Sequence, residues 1–283
     1  MDIEKKKFLY EKAREIRKLL IQTIGEFGQG HIGGCLSIIE VLTVLYYDQM
    51  NIDPQNPKME GRDRIVLSKG HAGPALYCTL ALKGFFPTDW LKTLNKPHTD
   101  LPSHCDMNKT PGVDMTAGSL GQGISCAVGI AQAAKIMGSD EYTYVIIGDG
   151  ESQEGSVWEA SMAAAQYKLD HFIAFLDYNK LQIDGTVDEV MSLIDPEAKW
   201  RSFGFNTFRV NGHDVESISE AITAAKREQN GKPSMIVLDT VKGKGVSFIE
   251  AAGTGNHSMP ITPEQVALAL DELSREEISW HWS

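Results

Sequence analysis

YTYVIIGDG, residues 142–150, decides the fold: an apolar run from Tyr142 to Ile147 is stopped abruptly by Gly148-Asp149-Gly150. A run with no polar alternation fits a strand covered on both faces. Moving outward, a helical stretch follows from about Ser156 to Tyr167, and His171 to Leu176 is a second apolar run. Thr207 to Val210 reads as a strand, Val215 to Glu228 as a helix, and Ser234 to Leu238 as a closing strand. Strands that alternate with helices in this way predict an α/β fold with a doubly wound parallel sheet. Ligands bind such sheets beyond the carboxyl ends of the strands, so the chemistry is expected in the loops after Ile147 and Leu176.

The first half is more helical and loop-rich. In its opening helix Phe8, Ala13, Ile16, Leu19 and Leu20 can share one face while Lys and Glu take the other. No linker, repeat or break in composition divides the chain, so one domain over residues 1–283 is expected. A net charge of -11 argues against nucleic acid as a partner and leaves any phosphorylated ligand in need of local positive charge. Cys35, Cys78, Cys105 and Cys126 have neither a CxxC nor a zinc spacing and read as reduced thiols. There is no signal-peptide layout, and nowhere do 18 apolar residues run together. A cytoplasmic protein without a membrane span is the expectation.

Asp149 offers a carboxylate, Asn179 a side-chain carbonyl thirty residues later, and Leu181 a backbone carbonyl. Hard oxygen donors on neighbouring strand ends suit Mg²⁺, with Ca²⁺ able to substitute, when phosphate oxygens complete the shell. Gly148 and Gly150 let the backbone approach a diphosphate, with the next helix N-terminus facing it. Alone, GDG is only a turn, and a lone loop histidine is more often structural than functional. Histidines nevertheless recur beside glycines: Gly30-His31-Ile32-Gly33, Leu67-Ser68-Lys69-Gly70-His71, His104 before Gly118-Ser119-Leu120-Gly121-Gln122-Gly123, and Asn256-His257-Ser258 after Gly243-Lys244-Gly245.

GDG followed by Asn179 resembles the thiamine-diphosphate signature. With the four histidine segments in this order, residues 10 to 260 resemble the N-terminal, diphosphate-binding section of transketolases. The resemblance implies a thiamine-diphosphate-binding domain that takes part in moving a two-carbon ketol unit from a ketose phosphate to an aldose. By the same resemblance Asp149, Asn179 and the Leu181 carbonyl would bind the metal. His31 and His104 would contact donor oxygens, while His71 and His257 would lie near diphosphate, aminopyrimidine and substrate. Gly118, Leu120 and Gly121 would line the aminopyrimidine, Gly148 and Gly150 the diphosphate, and Ile183 would touch the thiazolium. Glu154 would pair across a subunit interface. Departures from the family pattern at Ile32, Ser103, Cys105, Asp106, Ser119 and Ser258 are expected to alter the pocket wall and leave the sugar open. His213 also fits the family, but a turn before a helix capped by Asp214 explains it equally well.

The resemblance also implies a missing half. Transketolases continue through a pyrimidine-binding domain, which brings the acid at N1′ of the aminopyrimidine, and a C-terminal domain. The chain is therefore expected to work with a second subunit carrying both, in an α₂β₂ assembly. Its natural-looking start and tapering helical end, with Trp280-His281-Trp282 a packed or frayed terminus, favour a split gene over a piece of a longer chain. The α subunit of a 2-oxo acid dehydrogenase is the nearest other enzyme, but its segments lack LSKGH and TAGSLGQG. A split transketolase for a branched-chain or sulfonated ketose stays open, as does a cofactor-binding subunit that is inactive without its partner.

Overall fold

The computed structural model describes residues 1–275, so the Trp280-His281-Trp282 segment lies outside the described residues. The strands are β1 (Gln29–Gly30), β2 (Arg64–Leu67), β3 (Thr143–Gly148), β4 (Phe172–Tyr178), β5 (Asn206–Asn211), β6 (Ser234–Asp239) and β7 (Met259–Pro260). Five of them form a parallel sheet in the order β2-β3-β4-β6-β5, while β1 and β7 pair separately and antiparallel. The four strands expected from the sequence are present within two residues of their expected ends. The edge strand β2, in the loop-rich half, was not anticipated.

Both faces of the sheet are covered, which explains the unbroken apolar runs. Tyr144, Ile146, Ile173, Phe175, Ile236 and Leu238 point to one face. There they meet α1 (Ile3–Phe27), α2 (Ile32–Leu36), α3 (Ile39–Val44), α4 (Gly73–Lys83) and the helix Val215–Arg227. Val145, Ile147, Ala174, Leu176 and Val237 point to the other, against α5 (Gln122–Met137), α6 (Gly155–Gln166) and the helix Pro196–Ser202. Full burial of each such Ile, Leu or Phe side chain stabilises the fold by about 1.5–3 kcal/mol. In α1 the buried stripe is Leu9, Ala13, Ile16, Leu20, Ile21 and Ile24. Phe8 does not join it but stays 41% exposed, because the stripe that meets α3 and α4 starts one residue later.

The sheet register fixes the site. Gly148 pairs with Asp177, Asp177 with Leu238 and Tyr178 with Asp239, so the carboxyl ends of β3, β4 and β6 finish level. The loops beyond them start side by side, next to the loop after β2.

Candidate active site

A cavity of about 400 Å³ opens over those strand ends. Thirteen expected residues line it: His31, His71, His104, Gly118, Leu120, Gly148, Asp149, Gly150, Glu154, Asn179, Leu181, Ile183 and His257. Gly121 does not. It sits buried behind the wall, with φ at +79°, and a Cβ there would come within 2.4 Å of Ser156 Oγ. It is a glycine so that α5 and α6 can start against each other, and its N–H donates to Glu151 Oε1 at 2.9 Å. The departures expected to reshape the wall do not face the cavity either: Ile32 and Cys105 are core residues, and Ser103, Asp106, Ser119 and Ser258 are not among the lining residues. Nor does a long helix follow Gly150 at once. A single 3₁₀ turn, Glu151–Gln153, comes first, and α6 begins at Gly155 with Glu154 exposed at its start.

The four histidines come from separate elements and meet. Ring centroids of His31 lie 5.4 Å from His71, 5.7 Å from His104 and 5.4 Å from His257, and His71 lies 5.1 Å from His257. Gly33 permits this closure, because a Cβ would reach within 2.2 Å of Asn256 Oδ1, in the turn that carries His257. Burial, then the charges nearby, keeps three of these rings neutral. His257 is lowered to about 4 by desolvation and Lys242, His71 well below its ordinary value by desolvation and Lys69, and His31 less so by desolvation and His104. Each neutral ring offers one donor and one acceptor. The Lys242 ammonium lies 3.2 Å from His257 Nδ1 and can only donate, so the hydrogen of that ring sits on Nε2.

These depressed values have a consequence for stability. A base whose folded pKa is depressed contributes stability above its unfolded value, near 6.5, and loses it as the pH falls through the folded value. Without cofactor, the melting temperature should therefore drop between about pH 6.5 and pH 4. His257→Gln should flatten that fall by about 2–4 °C, allowing for the ring's partial exposure. Thermal melts of both proteins across this range check it, and parallel curves would refute it.

Asp149 is buried; Oδ1 accepts from Gly150 N at 2.8 Å and Oδ2 from Lys180 N. Burial, then repulsion from Asp177, raises its carboxyl to about 7. Asn179 donates its amide nitrogen to Asp177 Oδ2 at 2.8 Å, which turns its oxygen toward the loop, 3.1 Å from Leu181 N. The Leu181 carbonyl already receives a cation, the Lys242 ammonium, at 3.1 Å. Among the described residues no three His, Cys, Asp or Glu side chains are arranged to hold a metal ion by themselves. A metal here would thus rest on one carboxylate, one amide oxygen and one peptide oxygen, with a ligand's oxygens completing the shell. The donor set fits a metal-bound diphosphate on two further counts. Asp149 lacks a full counter-charge, and Gln182 Nε2 is a buried donor with no partner beside the cavity.

Three buried charged groups that line the cavity escaped the sequence reading. Lys69 is 1% exposed, donates to Gly34 O at 2.8 Å and pairs with Asp177 at 2.5 Å. Burial alone would raise Asp177, but Lys69 and the hydroxyls of Ser37 and Thr240 hold it below the ordinary aspartate range. Glu151 is a clamp that accepts from Ser68 Oγ, Gly121 N and Gly148 N. Lys242, lowered to about 8 by burial and then by Lys69, follows β6 by three residues. The strand-end rule that pointed to Asp149 would have found it.

A parallel sheet with hard oxygen donors and a histidine-lined cavity beyond its strand ends defines a cofactor-binding α/β enzyme domain. Residues 10–277 match the family described as transketolase, thiamine diphosphate binding domain. The chain belongs to the transketolase family, and the enzyme it forms is a transferase of that type. The 6-deoxy-6-sulfo-D-fructose transketolase subunit SqwG of Clostridium sp. strain MSTE9 is 54% identical over 95% of this chain and 97% of its own. An apulose-4-phosphate transketolase subunit of Phocaeicola vulgatus is 43% identical over 91% of both chains. The crystal structure of transketolase from Campylobacter jejuni superposes with a TM-score of 0.89 at 33% identity, across 97% of this chain but 43% of that one. Among the described residues no helix is long and apolar enough to cross a membrane.

Proposed function

We propose that this chain is a single thiamine-diphosphate-binding domain that serves as one subunit of a split, cytoplasmic transketolase. Its partner would bring the pyrimidine-binding and C-terminal domains, in an α₂β₂ assembly. The reaction moves a two-carbon ketol unit from a ketose with an anionic terminus to an aldose phosphate. One observation carries this reading: four imidazoles and the Lys242 ammonium surround a cavity floored by Asp149 and Asn179.

Thiamine diphosphate, when bound, supplies the nucleophilic carbon and the electron sink. The chain would hold its diphosphate through Mg²⁺ on Asp149, Asn179 and the Leu181 carbonyl, with Ca²⁺ able to replace it. Gly148, Gly150 and His71 would lie along the diphosphate side, Gly118 and Leu120 would flank the aminopyrimidine, and Ile183, at the rim, would meet the thiazolium. His31 and His104 donate N–H to the oxygens of the ketose and take up or return its hydroxyl protons near neutral pH. His257 presents Nε2–H beside them. Glu154, exposed at the rim, faces the partner.

If so, His31→Ala and His104→Ala should each lower turnover by about 10²–10³ while nearly sparing cofactor affinity, since their partners are substrate oxygens. Lost cofactor binding with normal turnover at saturating cofactor would refute the assignment.

The likeness to SqwG favours a sulfonated ketose as donor, and the likeness to the apulose-4-phosphate enzyme makes a branched-chain pentulose phosphate the second reading. Steady-state rates of the two-chain enzyme with 6-deoxy-6-sulfofructose, apulose 4-phosphate and a linear ketopentose phosphate decide among them. A clear preference for the linear sugar would exclude both unusual donors.

A further inference from the structure

His213 lies outside the cavity, in the turn Asn211-Gly212-His213-Asp214, and no step above uses its ring. The turn does not need the ring. Asn211 Oδ1 accepts from His213 N at 2.9 Å, and Asp214 caps the next helix by accepting from Glu216 N at 3.1 Å. The imidazole is nevertheless held at both ends. Nδ1 lies 3.0 Å from Glu40 Oε2, and Nε2 lies 2.8 Å from the backbone nitrogen of Val241. A peptide N–H can only donate, so Nε2 is bare and the ring hydrogen sits on Nδ1, aimed at Glu40. Glu40 can accept because it is ionised: burial alone would raise it, but Arg17 and His213 bring it down to about 2. Of the two neutral tautomers, only this one satisfies both neighbours.

Val241 opens the segment that places Lys242. Its own side chain is 43% exposed, so apolar burial does not anchor it. The residues around it are tied elsewhere. Thr240 Oγ1 donates to Asp177, Asn256 Nδ2 donates to Lys242 O at 3.1 Å, Gly243 N donates to Gly33 O at 3.0 Å, and Arg17 Nε donates to Lys244 O at 3.2 Å. Arg17 also holds Glu40, so one buried ion pair braces this loop at two points, directly at Lys244 and through the imidazole at Val241.

We propose that His213 is a positioning residue of the active site: it couples the buried Arg17–Glu40 pair to the Val241 N–H and so sets where the Lys242 ammonium enters the cavity. This rests on reading the cavity as the diphosphate site.

Two amides separate the two contacts of the ring. In His213→Asn the amide ends where Nδ1 was and can donate to Glu40, but it falls short of Val241. In His213→Gln the amide reaches the place of Nε2, where its oxygen can accept from Val241. Thiamine diphosphate affinity of the two-chain assembly, titrated calorimetrically with Mg²⁺, is the readout, beside the melting temperature. His213→Asn should bind roughly tenfold more weakly and His213→Gln within about twofold of the parent, with similar melting temperatures. In a Lys242→Met background, itself weaker, adding His213→Asn should cost nothing further, because the group it places is gone.

Normal binding in the Asn variant, or equal weakening in both, overturns the proposal, since the ring would then serve Glu40 or the turn alone. Additive losses in the double variant, or unchanged affinity in Lys242→Met, overturn the coupling to Lys242. Asp149→Ala tells the two levels apart. If that variant keeps its affinity, the diphosphate reading fails and the coupling with it; if it loses affinity while His213→Asn binds normally, only the coupling fails.

Discussion

On its own, the chain is expected to transfer no ketol unit at all. The cofactor reacts only when a carboxylic acid holds N1′ of its pyrimidine, and the carboxylates lining this cavity are otherwise engaged or poorly placed. Asp149 is held by the Lys180 and Gly150 N–H groups. Glu151 is committed to Ser68, Gly121 and Gly148. Glu154 and Asp184 stand exposed at the rim. The acid is therefore expected to arrive with the partner, and a cofactor bridging both chains would stabilise the assembly by mass action. Activity should rise as the partner is titrated in and then saturate. Glu154→Ala should weaken that response, because its carboxylate, exposed at the rim, is expected to face the partner. A steady-state assay with a ketose phosphate donor and an aldose phosphate acceptor decides this. Robust turnover by the isolated, homogeneous chain would overturn the two-chain reading.

Asp149→Ala should lose thiamine diphosphate by at least ~10²-fold, beyond the 10–100-fold typical of groups that merely support a metal ligand. The fold should survive. The Asp149 carboxylate accepts from two nearby N–H groups of the strand-end loops, and burial has already raised it to about 7, so its removal relieves a poorly compensated buried group. Asn179→Ala should have a smaller effect, since it removes a neutral ligand and also withdraws one donor from Asp177. Calorimetric titration of the assembled enzyme with Mg²⁺ present, alongside melting curves, is the measurement. Unchanged affinity in Asp149→Ala would sink the metal assignment.

The sequence by itself determined four of the five strands of the parallel sheet and the identity of their ends. Runs such as 144–147 and 172–176 are apolar at every position because both faces of a parallel sheet are buried, and that condition is written residue by residue. Gly148-Asp149-Gly150 and Asn179 were legible for the same reason, being the first residues past two such runs. The histidines were legible as residues beside glycines, though not as neighbours of one another. Only the tertiary structure decided that His31, His71, His104 and His257 converge, because four loops distant in the chain meet only once the parallel register levels the strand ends. It also decided which charges are buried. Lys242 and Lys244 look alike in the sequence, yet the ammonium of Lys242 enters the cavity while Lys244 offers its backbone carbonyl to Arg17. It likewise put Gly121 and Ile32 behind the wall rather than on it. A loop residue carries no periodicity that tells its side chain which way to face; that direction comes from what packs against it, and the partners come from elsewhere in the chain.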